Sequence, residues 1–384
     1  MTEITNDVSL SKQSSVSLKR VGIIGGAFVG LLIGSGFATG QEIMQYFVSY
    51  GYGGILGAFG VLALLVFVGN SFIAVGNAER FEKGAEIFSY YAGPKVGRFY
   101  DIFSNLFVFM TYIIMIAGAA STGTQQYGWP GWVGGAIMIA LTIGTVLMGL
   151  DNFVNIIGSI MPIVVGLSFF LSISTLITHG THIAANVAML PDMVADGTIM
   201  QASNSWWTAA FSYVGFSMML LAAFLAETGK TAGSQKEAKA GASLGAVAFC
   251  ASVIILTLGL TSAAHLVGGA DIPSLILADN IHPVFGQIYA LIMFTGIYST
   301  AVPLLWNPCA RFSKEGTPKF RGLVAALGIA GGVVGLFVEF PALINFIYGI
   351  NGYVGILFLV FMIVHFVRYK GFLKPGSKAK LADQ

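Results

Sequence analysis

Ten long apolar stretches divide the 384-residue chain, and all 19 of its Lys and Arg residues fall in alternate joining segments. Those segments hold Lys12, Lys19 and Arg20; Arg80, Lys83, Lys95 and Arg98; Lys230, Lys236 and Lys239; Arg311, Lys314, Lys319 and Arg321. After the last stretch come Arg368, Lys370, Lys374, Lys378 and Lys380. The other joining segments carry no basic residue but hold Asp192, Asp196, Asp271, Asp279 and Glu339. Basic loops stay on the cytoplasmic side of a membrane. The pattern predicts ten transmembrane helices near 21–49, 53–77, 102–122, 130–149, 153–177, 205–226, 241–265, 284–307, 322–339 and 343–367, with both termini cytoplasmic. A different number of spans scrambles the segregation.

Composition excludes a soluble protein: 56% of residues are hydrophobic and 9% charged, against about a quarter charged in soluble chains. A β-barrel is excluded by the length of the apolar runs. The first 18 residues are polar and run into Lys19-Arg20 without a secretory cleavage pattern, which reads as a cytoplasmic tail and an uncleaved first span in the cell membrane. Cys250 falls inside a span and Cys309 at a cytoplasmic span end, so no disulfide is expected.

The first stretch contains Gly34, Gly36 and Gly40 within seven residues. Each glycine costs a helix about 1 kcal/mol relative to alanine. The segment Gly34–Ala38 is therefore expected to be unwound near mid-membrane, where freed backbone groups must be buried or line a wet cavity. A packing role competes for the same glycines, because Gly22, Gly26, Gly30 and Gly34 recur every fourth residue. In span 6, Gly215 lies between Ser212 and Ser217, which suggests a second break. Span 6 takes the place of span 1 in a second set of five, and an odd number of spans inverts the second set. The expected fold is an all-α integral membrane protein of two inverted five-helix repeats with helices 1 and 6 broken, a pattern that marks transporter binding sites. Its parts are an N-terminal tail at 1–20, a first repeat at 21–177, an external loop at 178–204, a second repeat at 205–367 and a C-terminal tail at 368–384.

The run Leu32-Ile33-Gly34-Ser35-Gly36-Phe37 resembles the first-span element of the amino acid–polyamine–organocation superfamily, whose members share the LeuT fold. The longer string GSGFATGQEIMQYF, Gly34 to Phe47, is similar to the YkvI-like membrane proteins of bacteria. The resemblance implies alternating access, with spans 1, 2, 6 and 7 rocking against spans 3, 4, 8 and 9. It also implies a sodium site built from Ser299, Thr300, the Thr295 carbonyl and the carbonyls of Gly30 and Ile33. Tyr298 stands where the simplest register places the first hydroxyl, so the pair is displaced by one. Span 5 lacks the lysine that replaces sodium in some proton-coupled relatives. The competing reading is that Ser299 and Thr300 bond back to their own helix.

Candidate substrate contacts are Gly34, Ser35, Gly36, Phe37 and Ala38, with free N–H groups for a carboxylate or free carbonyls for a cation. Glu42, an intramembrane carboxylate, is a candidate for a proton, a cation or a substrate amine. It is equally a candidate cap, because Thr39 and Glu42 fit the capping box. Tyr112, Phe211, Tyr213, Gly215, Phe216 and Ser217 sit beside the breaks and complete the candidate pocket. Trp129, Trp132, Trp206 and Trp207 read as interface anchors. His179 and His182 form an H-x-x-H pair that reads as solvated loop histidines, since no third ligand is near in sequence.

These features point to a secondary transporter for a small amino acid or related amine, embedded in the lipid bilayer and driven by sodium. The alternatives are proton coupling through Glu42, a channel, or a ligand sensor on a transporter fold. A channel needs a continuous polar pore or filter, which the sequence does not suggest. An enzyme needs clustered catalytic groups inside the spans. No cofactor, nucleotide-binding loop or nucleic-acid partner is expected.

Overall fold

The computed structural model describes residues 16–33, 35–149 and 154–375. Its helices are, in order, α1 (Leu18–Leu32), α2 (Ser35–Thr39), α3 (Gln41–Tyr46), α4 (Tyr52–Glu79), α5 (Glu86–Tyr127), α6 (Gly131–Met148), α7 (Val154–His179), α8 (Ile183–Ala195), α9 (Trp206–Gly229), α10 (Gln235–Ser262), α11 (Ala264–Val267), α12 (Pro273–Ile281), α13 (Pro283–Phe312), α14 (Pro318–Phe337) and α15 (Phe340–Tyr369). Among the described residues, nine helices are long and apolar enough to cross a membrane. The interrupted stretch α1–α3 supplies the tenth crossing, giving the multi-pass LeuT-like bundle.

The helix ends follow from the sequence. Proline opens α12, α13, α14 and α15, where its missing N–H costs nothing. The Ser234 side chain caps α10 and the Thr317 side chain caps α14. α5 is two helices merged across a bend at Gly93–Pro94, so its first turns lie apart from the spanning part. The two long joining segments at the end without Lys or Arg are partly helical: α8 fills about half of the first and α12 about half of the second.

Packing divides the bundle into two groups. α4 packs on α9 and α10, and α10 packs on α1; α5, α6, α13 and α14 pack on one another, while contacts between the two groups are sparse. α7 leans on α10 and α13, and α15 bridges α9 and α5. At the basic end, Arg20 pairs with Glu237 at 3.5 Å and Arg311 pairs with Asp101.

Two expectations about glycine are corrected. Span 6 is not broken: α9 runs unbroken from Trp206 to Gly229. Gly215 is instead a point of helix contact, because a Cβ there would lie 2.1 Å from the Gly352 carbonyl oxygen of α15. The packing face of α1 is also shifted by one residue. Among the described residues, a Cβ on Gly22 or Gly26 would meet nothing within 4 Å, whereas a Cβ on Gly25 would meet the Gly241 carbonyl oxygen of α10 at 3.3 Å.

Candidate functional site

The break in the first span has a different shape from the one expected. α1 ends at Leu32, and Ile33 leaves the helix with φ −81° and ψ 89°. Gly34 lies outside the described residues. Ser35 to Ala38 are not unwound, since they belong to the single helical turn α2. A second break follows at Gly40, whose φ of +81° favours glycine and whose hydrogen faces Ser274 with no room for a methyl group. The chain therefore crosses mid-membrane as helix, one isolated turn, then helix again. The backbone oxygen of Ala38 accepts a hydrogen bond from the Tyr289 hydroxyl of α13 at 3.1 Å. Phe37 is fully buried and packs its ring 6.0 Å from that of Phe249 on α10.

Glu42 lies in the first turn of α3 and is 3% exposed. The capping box does not form: Gly40 occupies the N-cap, and the Thr39 hydroxyl accepts instead from the Gln41 N–H at 3.3 Å. The Glu42 Oε1 atom accepts a hydrogen bond from the Tyr213 hydroxyl of α9 at 2.8 Å. Among the described residues, no salt bridge reaches this carboxyl.

Aromatic rings cluster around its partner Tyr213. Tyr213 packs edge-on against Phe47 at 4.9 Å, Phe216 at 4.8 Å and Tyr46 at 5.4 Å. Phe216 stacks on Tyr348 of α15 at 4.4 Å. Tyr46 and Tyr348 lie within electrostatic reach of the Glu42 carboxyl. Ser217 Oγ of α9 and Asn351 Oδ1 of α15 are buried with no hydrogen-bond partner among the described residues. The Tyr46 and Ser212 hydroxyls approach each other without reaching hydrogen-bond geometry. Each unsatisfied buried polar group costs about 1–3 kcal/mol, so such a concentration marks a place for a polar ligand or water.

The cage is shut at the end without Lys or Arg by a set of amide contacts. Gln45 donates to the Pro341 carbonyl at 2.8 Å, and Asn345 donates to Gln45 Oε1 at 3.1 Å and to the Gln201 carbonyl at 2.8 Å. Gln201 in turn donates to the Ser49 carbonyl at 3.0 Å. Beyond this latch lies a cavity of about 510 Å³ whose lining includes Ser49, Tyr50 and Gln201. Beside α2, the apolar packing among Ala38, Val164, Tyr289 and Met293 leaves no room for a water molecule.

Of the other expected residues, Tyr213 and Phe216 join Glu42, while Gly215 and Ser217 sit on the neighbouring turns of α9. Two are elsewhere. Phe211 is 39% exposed on the outer face of α9, because four residues of each turn cannot all face one pocket. Tyr112 is buried between α6 and α14, its hydroxyl donating to the Gly328 carbonyl at 3.2 Å. Ser299 and Thr300 both bond back to the Gly296 carbonyl, at 2.8 and 3.1 Å, and the Thr295 hydroxyl bonds to the Leu291 carbonyl. Tyr298, which displaced the hydroxyl pair, bonds to Thr145 on α6. Tyr46 was not singled out, although its place four residues after Glu42 on the same helical face was a usable signal. Tyr348 and Asn351 carried no signal, because nothing local ties span 10 to span 1.

No protein-family model matches the chain. It is similar to the uncharacterized membrane protein YkvI of Bacillus subtilis, 22% identical over 338 residues that cover 86% of this chain and 92% of that protein. It is also similar to the uncharacterized protein YyaD of the same organism, 23% identical across 88% of this chain and 94% of that one. Among solved structures it is similar to MhsT in complex with L-phenylalanine, with a TM-score of 0.62 and 17% identity over 90% of this chain and 88% of that one. That likeness establishes the fold.

Proposed function

We propose that the chain is a secondary active transporter, not an enzyme, that carries a small amino acid or related amine by alternating access. The observation that supports this most is the buried Glu42 carboxyl, which accepts a hydrogen bond from Tyr213 at the centre of an aromatic cluster beside the break of the first span. A carboxylate supplies the counter-charge for an organic ammonium. Aromatic faces add cation–π attraction of up to about 2 kcal/mol where water is excluded. MhsT, similar in fold, was solved with L-phenylalanine, which offers both an ammonium and a ring. The two packed groups of helices provide the bodies that would rock, and the Gln45–Asn345–Gln201 latch would close the site on one side by tying α3 to the bridging helix α15. The basic end would face the cytoplasm of a cell-membrane protein.

The direct test is thermal stability of the purified protein in sodium or choline chloride, across pH, with a panel of amino acids and amines. A ligand that binds the native state raises stability by about 2.7 kcal/mol at a hundred times its Kd. A rise with one amine or amino acid supports the reading. Neutral or anionic solutes alone raising stability would overturn the amine assignment.

Sodium is the proposed coupling ion. Ser299 and Thr300 would turn from the Gly296 carbonyl toward the ion, joined by the Thr295 carbonyl and by those of Gly30 and Ile33. The non-helical ψ of Ile33 supports this, because it swings that carbonyl off the α1 axis. Replacing Ser299 or Thr300 by alanine is expected to raise the sodium concentration for half-maximal uptake about tenfold, the size of one lost charge-assisted contact. Unchanged sodium dependence in both variants would remove the ion from this place.

A second reading rests on the absence of a salt bridge to Glu42 among the described residues. In that reading the carboxyl carries a proton with each transport cycle, and ligand stabilisation depends on pH and not on sodium.

A further inference from the structure

His179 ends α7 and His182 ends the single 3-10 turn Gly180–His182 that follows it. His265, more than eighty positions further along, lies in α11. The fold brings the three imidazoles together at the end of the bundle without Lys or Arg. Their ring centres form a nearly equilateral triangle with sides of 6.0, 6.1 and 5.7 Å. The missing third partner of the H-x-x-H pair is therefore supplied from the second half of the chain.

Asn186 of α8 fixes the chemistry of His265. Its side-chain amide donates to the carbonyls of Thr261 at 3.0 Å and Ser262 at 2.7 Å. This orients the amide, so its oxygen is the atom that faces His265 Nδ1 at 2.9 Å. An amide oxygen only accepts, so Nδ1 carries the proton and the neutral ring keeps its lone pair on Nε2. An outer hydrogen bond that sets the tautomer in this way is the usual support of a metal-ligating histidine. His182 and His265 are exposed and His179 is half-buried, so ions in solution reach all three.

Metal–nitrogen distances of 2.0–2.1 Å in tetrahedral geometry place the ring centres of three ligating histidines about 5 Å apart. The present spacing is slightly wider, and the nitrogens do not yet converge on one point. Closing the difference would take side-chain rotation, chiefly of the exposed His182, because Asn186 holds His265. Imidazole-only ligation suits zinc, copper and nickel and does not suit magnesium, calcium or sodium.

We propose that His179, His182 and His265 form a binding site for a divalent transition metal ion of the zinc class, completed by water. The ion would tie the end of α7 to α11, and so fasten the α7–α8 corner of the first half of the chain to the second half.

The test uses the full-length purified protein with any affinity tag removed. Cobalt is titrated as the visible probe, and zinc, magnesium and calcium as competitors. One cobalt ion per chain is expected, with the d–d absorption of a four- or five-coordinate site, displaced by zinc and not by magnesium or calcium. His265→Gln and, separately, His182→Gln are expected to weaken binding at least about a hundredfold, beyond the ten- to hundredfold effect of outer-partner changes. Both side chains are exposed, so each variant checks the other for misfolding. No saturable cobalt binding in the wild-type protein, or equal binding in either well-folded variant, would overturn the site.

Discussion

Glu42→Gln is expected to abolish uptake while leaving the protein folded. Glutamine has nearly the shape of glutamate, and its side-chain oxygen still accepts the hydrogen bond that Tyr213 now gives Glu42 Oε1 at 2.8 Å. The aromatic rings around it have no reason to move. What is lost is the charge. Removing one partner of a buried ion pair costs about 3–5 kcal/mol, which corresponds to at least about a hundredfold loss of affinity for a substrate ammonium. Glutamine also serves at N3 of a helix, so a mere capping residue would tolerate the change. The structure removes that alternative from its local basis, because Gly40 and not Thr39 stands at the N-cap. Uptake in proteoliposomes, paired with ligand-induced thermal stabilisation, separates the two roles proposed for the carboxyl. If it pairs with the substrate amine, both uptake and stabilisation vanish. If it carries a proton, the variant still binds ligand, now without pH dependence, and exchanges it across the membrane without net accumulation. Wild-type uptake in Glu42→Gln would dismiss both roles.

The bundle was legible because apolar length sets the crossings, and that length does not depend on tertiary contact. The first break was legible from Gly34, Gly36 and Gly40, but its detail was not. Glycine spacing shows where a helix can stop, not whether the intervening residues recover one turn, as Ser35–Thr39 do. Gly215 was misread for a related reason. A glycine that interrupts a helix and a glycine that lets a second helix approach look alike in sequence, and only the position of Gly352 tells them apart. Glu42 stood out as a carboxylate within a span, yet its partner Tyr213 lies 171 residues away. Tyr348 and His265 were hidden in the same way: each matters through a neighbour on a distant helix. Tyr112 and Phe211 were chosen for proximity in sequence, which does not fix the face of a helix.

Gly215→Ala is expected to destabilise the protein, and Gly349→Ala, on the helix opposite, to stabilise it. Alanine is favoured over glycine inside a helix by about 1 kcal/mol, so propensity alone predicts a gain at both positions. Contact reverses the sign at one of them. A Cβ on Gly215 would stand 2.1 Å from the Gly352 carbonyl oxygen, and the reciprocal Cβ on Gly355 would stand 2.0 Å from the Gly215 oxygen. Backbone is met on both sides, so no side chain can rotate away and α9 and α15 must separate. Small residues allow such close approach in a membrane, where packing replaces the hydrophobic drive between helices. Overpacking costs about 1–3 kcal/mol, and a backbone clash belongs at the upper end, leaving a net loss of about 2 kcal/mol at Gly215. Among the described residues a Cβ on Gly349 meets nothing within 4 Å, so the propensity gain stands there uncancelled. Unfolding in detergent, followed by temperature or denaturant, reads both signs. The same seam carries the Phe216–Tyr348 stack at 4.4 Å, one face of the cage around Glu42. Separating the helices therefore opens the cage, and Gly215→Ala is expected to raise the substrate concentration for half-maximal uptake, which Gly349→Ala leaves unchanged. Equal stability of the two variants would mean that α9 and α15 do not meet through their glycines.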